Sequence, residues 1–312
     1  MSAPTSLHGI VAELPELVAL RLRAAQLGRV ERQRSADQLS GPQASPFRGR
    51  GMEYAESRPY AAGDDVRHID WRVTARTGRT HTKLFQPERE RITAVVYDAA
   101  PSMAFGTRTC FKSVQAARIG ALMAWAALAE GDRLAASACG RACEVVAPMG
   151  ARRGVLRTLD ALVRWQRSAT AAASPASLAE ALDALQRRLR PGSHVLLLLD
   201  PRSLDIAAER SLVRLRAHHD LAACVLADPI EVTPPKPARY RIAGLGGQRS
   251  TLQLDDGVAR VAWTGHFRQQ HDDVIGRLRR AGARARLTLT HEDPVHALRD
   301  LLNGAPQRSD PA

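Results

Sequence analysis

The chain has 312 residues, 45% of them hydrophobic, which is ample material for a buried core. The longest apolar runs, at 121–129 and 195–199, fall well short of the roughly 18 to 20 residues a membrane-spanning helix needs. The formal charge of +13 suggests nucleic acid, yet lysine occurs only at Lys83, Lys112 and Lys236 among 45 basic residues. So skewed a preference for arginine, with abundant alanine, fits a GC-rich genome as well as a binding surface. The arginines are spread along the chain and aromatics make up 4%, so the stacking platforms and recognition modules of nucleic-acid binders are missing. An acidic protein partner or anionic surface accounts for the charge better. Four scattered cysteines give neither a disulfide framework nor the spacing of a zinc site.

In chain order, residues 9–27 place Ile10, Leu14, Leu17, Val18, Leu20 and Leu22 at helical spacing and predict an amphipathic helix. Residues 47–79 read as an irregular, turn-rich segment, followed by a short strand at 80–85 and a charged turn at 88–91. Residues 92–97 form an apolar run of the kind buried on both faces of a parallel sheet. A helix over 112–129 carries Val114, Ala117, Leu122, Trp125 and Leu128 as its core stripe, and strands at 132–138 and 142–146 flank a turn at Cys139-Gly140-Arg141. Helices over 153–165 and 177–189 precede a buried strand at 195–199 that ends at Asp200. A helix (204–217), a strand (221–227), two weak strands around Tyr240 and Leu252, a helix (265–281), a strand (285–289) and a helix (294–302) complete the chain.

This alternation predicts an α/β fold with a doubly wound, mostly parallel sheet, preceded by an N-terminal helix and an irregular turn-rich segment. The expected domains are an N-terminal helix and linker (1–46), a preamble packed on the sheet (47–91), the α/β domain (92–304) and a disordered tail (305–312). The amino terminus lacks the basic start and apolar centre of a signal peptide, which predicts a cytoplasmic protein.

Two sets of motifs narrow the family. The preamble carries Phe47-Arg48-Gly49-Arg50-Gly51-Met52-Glu53-Tyr54, Arg58-Pro59-Tyr60, Gly63-Asp64-Asp65-Val66-Arg67-His68-Ile69-Asp70-Trp71 and Thr74-Ala75-Arg76, and the first buried strand ends in Asp98-Ala99-Ala100-Pro101-Ser102. Over residues 47–138 the chain resembles the bacterial "domain of unknown function 58" family, which joins such a preamble to a von Willebrand factor A-like domain. Many relatives carry two membrane spans ahead of the preamble, so the resemblance implies a soluble variant here. Genes of that family commonly sit beside those of MoxR-type ATPases, so it also implies a MoxR-type AAA+ ATPase partner.

In the resembled fold the Asp98 loop carries Asp-x-Ser-x-Ser, whose oxygens hold a magnesium ion that a partner's acidic side chain completes. Here Ala100 replaces one hydroxyl, and the threonine of the second loop falls at Ala176, with Ser177 one residue off. The resemblance therefore implies a degenerate metal site on Asp98, Ser102 and Asp200, with at most weak Mg2+ and no other cofactor. Hydroxyls restored at Ala100 and Ala176 are expected to restore binding. Read from the residues alone, Asp98 and Ser102 are expected to cap the turn and helix after the strand.

In the preamble, alternating acids and arginines predict an ion-pair lattice with Tyr60 and Trp71 as apolar anchors. The alternative is a docking surface, for which Arg58, Asp64, Arg67, Asp70, Trp71, Arg76 and Arg79 are the candidate partner-binding residues. No phosphate loop, nucleophile elbow or zinc-protease helix is present, and Gly244-Leu245-Gly246-Gly247 lacks a strand-to-helix setting. His218-His219 suits a helix end, and His291-Glu292-Asp293 is a minor candidate cluster. A non-enzymatic adaptor is the expected function, with a hydrolase of rebuilt site or a basic nucleic-acid-associated factor as alternatives.

Overall fold

The computed structural model describes residues 9–27, 52–61, 63–87, 91–140, 142–168, 176–243 and 249–304. The expected linker, the turn at 88–90, the glycine-rich 244–247 and the tail lie outside these residues. The chain divides into two compact units, Ser40–Glu90 and the combination of Met1–Leu39 with Arg91–Ala312.

The expected N-terminal helix is two short ones, α1 (Leu14–Ala19) and α2 (Arg21–Ala24), continued by a 3-10 turn at Ala25–Leu27. In the smaller unit, β1 (Met52–Pro59) leads through a 3-10 turn at Val66–His68 into α3 (Trp71–Thr77) and then β2 (His81–Pro87). β1 and β2 pair antiparallel, with a bulge between Tyr54 and Glu56. The described part of the segment expected to be irregular, 52–61 and 63–79, therefore contains a strand and a helix. Its strand was hidden because its partner lies far along the chain. Its helix is too short to show a period and is defined by its ends: the Asp70 carboxylate accepts from Val73 N at 3.1 Å, and Gly78 closes the helix at φ 69°.

The larger unit continues with β3 (Ile92–Asp98), α4 (Lys112–Ala129), β4 (Arg133–Cys139), β5 (Glu144–Met149), α5 (Ala151–Ser168), α6 (Leu178–Gln186) and β6 (His194–Leu199). It ends with α7 (Ile206–Arg216), β7 (Asp220–Ala227), the hairpin β8 (Arg239–Ala243) and β9 (Arg249–Gln253), α8 (Gly257–Arg280), β10 (Arg284–Leu289) and α9 (Pro294–Leu302). Six strands form one sheet in the order β10-β7-β6-β3-β4-β5, parallel throughout except for β5, which returns antiparallel beside β4.

Because successive strand residues point to opposite faces, the apolar runs supply two cores at once. Val95, Tyr97, Leu196 and Leu198 pack under α4, α5, α9 and the N-terminal helices, whereas Ala94, Val96, Val195 and Leu197 pack under α6, α7 and α8. α4 is buried on nearly every side because α1 and α2 cover the face it turns from the sheet. Leu17 is fully buried there, and its carbonyl accepts from Trp125 Nε1 at 3.0 Å. The strand order reverses at β3, whose neighbours in the sheet are β4 and β6, so the loops after β3 and β6 lead to helices on opposite faces of the sheet.

Candidate functional site

Asp98, Asp200 and Asp228 terminate β3, β6 and β7 in turn, because each apolar strand delivers a tight turn whose free backbone amides need acceptors. All three are buried. Asp98 Oδ1 accepts from Ala100 N at 2.8 Å, and Oδ2 accepts from Asp200 N at 3.0 Å and from the Ser203 hydroxyl. Asp228 receives both the backbone N (2.9 Å) and the hydroxyl (2.5 Å) of Thr107, together with the Thr290 hydroxyl at 2.9 Å. Through these bonds the long loop after β3 is tied to the ends of β6, β7 and β10.

At the centre of this edge lies Lys112, the first residue of α4, with no exposed surface. Its Nζ donates to Asp200 Oδ2 at 2.7 Å and to Glu231 Oε1 and Oε2 at 3.0 and 3.2 Å. The Phe105 ring lies 5.7 Å from the ammonium. A cation at a helix N-terminus opposes the macrodipole, and burial removes its hydration, so two carboxylates from different loops are needed to hold it there. Asp200 Oδ1 in turn accepts from the backbone N and Nε of Arg202, at 2.9 and 3.1 Å. Burial works to raise the Asp200 carboxyl, yet Lys112 and Arg202 together hold it below its ordinary value. Asp98 behaves oppositely: burial pushes it up, the Asp200 charge adds to this, and its hydrogen bonds only partly offset both.

The structure joins Asp98 to Asp200 through the Asp200 backbone N. Of the two expected caps, Asp98 serves the turn after β3 by accepting from Ala100 N, whereas Ser102 lies within the 3-10 turn Pro101–Met103, whose cap position is held by Ala100, and bonds neither carboxylate. Ala176 forms a bridge with Gly140, at the tip of β4, so the second loop reaches the strand ends as the resemblance implied. Ser177 instead caps α6 in a capping box with Glu180. A divalent cation does not fit this donor set: Ala100 and Ala176 offer no side-chain oxygen, Asp98 already accepts three hydrogen bonds, and an ammonium stands against Asp200. Lys112 and Glu231 were missed because only tertiary structure shows which loops meet; a rare lysine opening an apolar helix was the available signal.

In the smaller unit, Arg58 pairs with Asp64 at 2.7 Å, Asp64 also accepts from Ala61 N at 2.9 Å, and Asp70 Oδ2 accepts from Ser57 Oγ at 2.8 Å. Of the expected ion pairs, Arg58–Asp64 is present, and Asp70 is held by hydrogen bonds. Tyr60 is half-buried and donates to the Asp64 carbonyl at 3.2 Å. Trp71 is not an anchor: it is 71% exposed at the first position of α3. Arg67, Arg72, Arg76 and Arg79 are exposed and form no ion pair among the described residues.

The remaining candidates are structural. Asp293 caps α9 and pairs with Arg23 at 2.5 Å, and Glu292 pairs with Arg286 at 2.7 Å, while His291 is exposed. His219, just past α7, is buried, and burial with the neighbouring His218 pushes its imidazole down to about 4. No group of three or more histidine, cysteine or acidic side chains among the described residues is arranged to hold a metal ion.

Numbered in chain order within the sheet, the strands run 3-2-1-4-5-6 with the third antiparallel, and the polar residues gather where the order reverses. This is a doubly wound, mostly parallel α/β domain. The family described as "Protein of unknown function DUF58" matches residues 56–272, and the chain belongs to it. It is 32% identical over 232 residues to the uncharacterized protein Rv1480 of Mycobacterium tuberculosis, covering 74% of this chain and 71% of that one. The uncharacterized protein Mb1516 of Mycobacterium bovis matches to the same extent, 32% over 232 residues. Among solved structures, the conserved hypothetical protein BatB of Bacteroides thetaiotaomicron aligns with a TM-score of 0.41 at 9% identity, covering 68% of this chain and 97% of that one. A von Willebrand factor type A protein from Catenulispora acidiphila aligns with a TM-score of 0.39 at 13% identity, over 72% of this chain and 43% of that one. No helix among the described residues is long and apolar enough to cross a membrane.

Proposed function

We propose that this protein is a non-enzymatic interaction module of the von Willebrand A type, a cytoplasmic adaptor for a MoxR-type AAA+ ATPase in the assembly or maturation of other proteins. The observation that carries the interaction role is Trp71, 71% exposed on a helix pinned by Asp70 and Gly78. An exposed indole costs solvation and contributes little to the fold, and Arg67, Arg72 and Arg76 of the same segment are exposed and form no ion pair among the described residues; aromatic and arginine side chains of this kind dominate binding energy at protein interfaces. The basic surroundings favour an acidic partner surface. The polar groups at the strand ends support a non-catalytic reading, since Asp98, Asp200, Asp228 and Glu231 are all engaged in fixing loops. The choice of ATPase rests on the family resemblance alone.

A pull-down from native extract, with and without nuclease, tests this reading. Recovery of a nuclease-resistant MoxR-type ATPase supports it. An eluate that disappears with nuclease would move the protein to the nucleic-acid-associated class.

A further inference from the structure

The strand ends contain a cation already, and it belongs to the chain. Lys112 is fully buried, donates to Asp200 and Glu231 from two different loops, and is covered by Phe105 on the loop after β3. We infer that the Lys112 ammonium is the resident cation of this sheet edge, closing the loops after β3, β6 and β7 without metal, and that its removal uncovers a divalent-cation site on Asp200 and Glu231. This goes beyond the proposed adaptor role and stands independently of it.

The chemistry follows from charge and donor type. An ammonium has three N–H donors and no acceptor, and Asp200 Oδ2 with the two Glu231 oxygens supplies acceptors at 2.7 to 3.2 Å. Arg202 neutralises the other side of Asp200 through Oδ1, so the carboxylate is shared between an internal and an exposed cation. Without Lys112, Asp200 and Glu231 would face each other desolvated, an arrangement that requires a proton or another cation. Carboxylate oxygens suit hard divalent ions, with water completing the shell. Hydroxyls restored at Ala100 and Ala176 leave the ammonium in place, so they do not by themselves create the site.

The test uses the full chain as wild type, Lys112→Met, Lys112→Met with Glu231→Gln, and Ala100→Ser with Ala176→Thr. Each is melted in EDTA and then with 10 mM Mg2+, Mn2+ or Ca2+ alone, and metal uptake is followed by calorimetry. Wild type and the Ala100→Ser/Ala176→Thr variant should not respond. Lys112→Met should melt lower in EDTA and recover with a cation; for a Kd near 1 mM the folding equilibrium shifts about elevenfold, or roughly 2 to 3 °C. Adding Glu231→Gln should recover part of the loss in EDTA and weaken the metal response. If Lys112→Met is insoluble, rescue of soluble protein by Glu231→Gln supports the inference and failure of that rescue overturns it. A metal response in wild type, or Lys112→Met as stable as wild type in EDTA, would also overturn it.

Discussion

Replacing Trp71 with alanine separates docking from packing. The indole is 71% exposed, so of the roughly 200 Å² an aromatic side chain can bury, about 60 Å² is covered, worth at most about 1.5 kcal/mol. Alanine is the better helix former, which reduces the loss further. Trp125 provides the internal contrast. It is 7% exposed and donates to the Leu17 carbonyl at 3.0 Å, so Trp125→Ala should cost about 3 to 5 kcal/mol. Circular dichroism melts of both variants should place Trp71→Ala within about 3 °C of wild type and Trp125→Ala about 5 to 8 °C below it. Little soluble Trp71→Ala protein, or equal losses in the two variants, would refute the assignment of Trp71 to the surface.

Three other outcomes are expected. Gly140 has φ 103° and an added Cβ would lie 2.5 Å from Ala99 C and Ala100 N, so Gly140→Ala should destabilise by about 2 to 4 kcal/mol in denaturant titration. An unchanged midpoint would mean the Asp98 loop moves freely. His219 titrates near 6.5 when unfolded and about 4 when folded, so its stabilising contribution is complete above pH 6.5 and is lost as pH falls toward 4, by at most about 3 kcal/mol. His219→Leu should flatten the stability profile in that window; an identical slope would contradict the burial argument. Charge reversal at Arg76 and Arg79, both exposed, should slow association with an acidic partner more than it speeds dissociation, and added salt should weaken wild-type binding. Kinetics indifferent to salt and to reversal would move the interface to another surface, such as the exposed Leu14 and Leu22 of the N-terminal helices.

The sheet was readable where one residue's neighbours decide its state. The runs ending at Asp98, Asp200 and Ala227 are apolar on both faces and bounded by turn residues, so β3, β6 and β7 lie within a residue or two of their expected positions. α4 begins at Lys112 as expected, but its burial on all sides depends on Leu17 and Leu20 covering it from the start of the chain. The amphipathic pattern of residues 9–27 is realised on the chain's own core, where Leu17 is fully buried. The resemblance located Asp98, Ala176 and Asp200, because loop positions are transmitted by strand order. It was silent on Lys112 and Glu231, whose partnership exists only once the loops after β3, β6 and β7 converge. Trp71, expected as an apolar anchor, is exposed instead, because residue type alone carries no information on which side of a short helix faces its own unit.

The most direct measurement is binding kinetics of the full chain against the purified MoxR-type ATPase, with wild type and Trp71→Ala compared at equal folded concentration. Saturable binding by wild type and a loss of about tenfold or more with Trp71→Ala are expected, since truncating a hot-spot aromatic costs upward of about 2 kcal/mol. No binding by wild type at tens of micromolar, or equal affinity of the two proteins, would contradict the adaptor assignment at this surface.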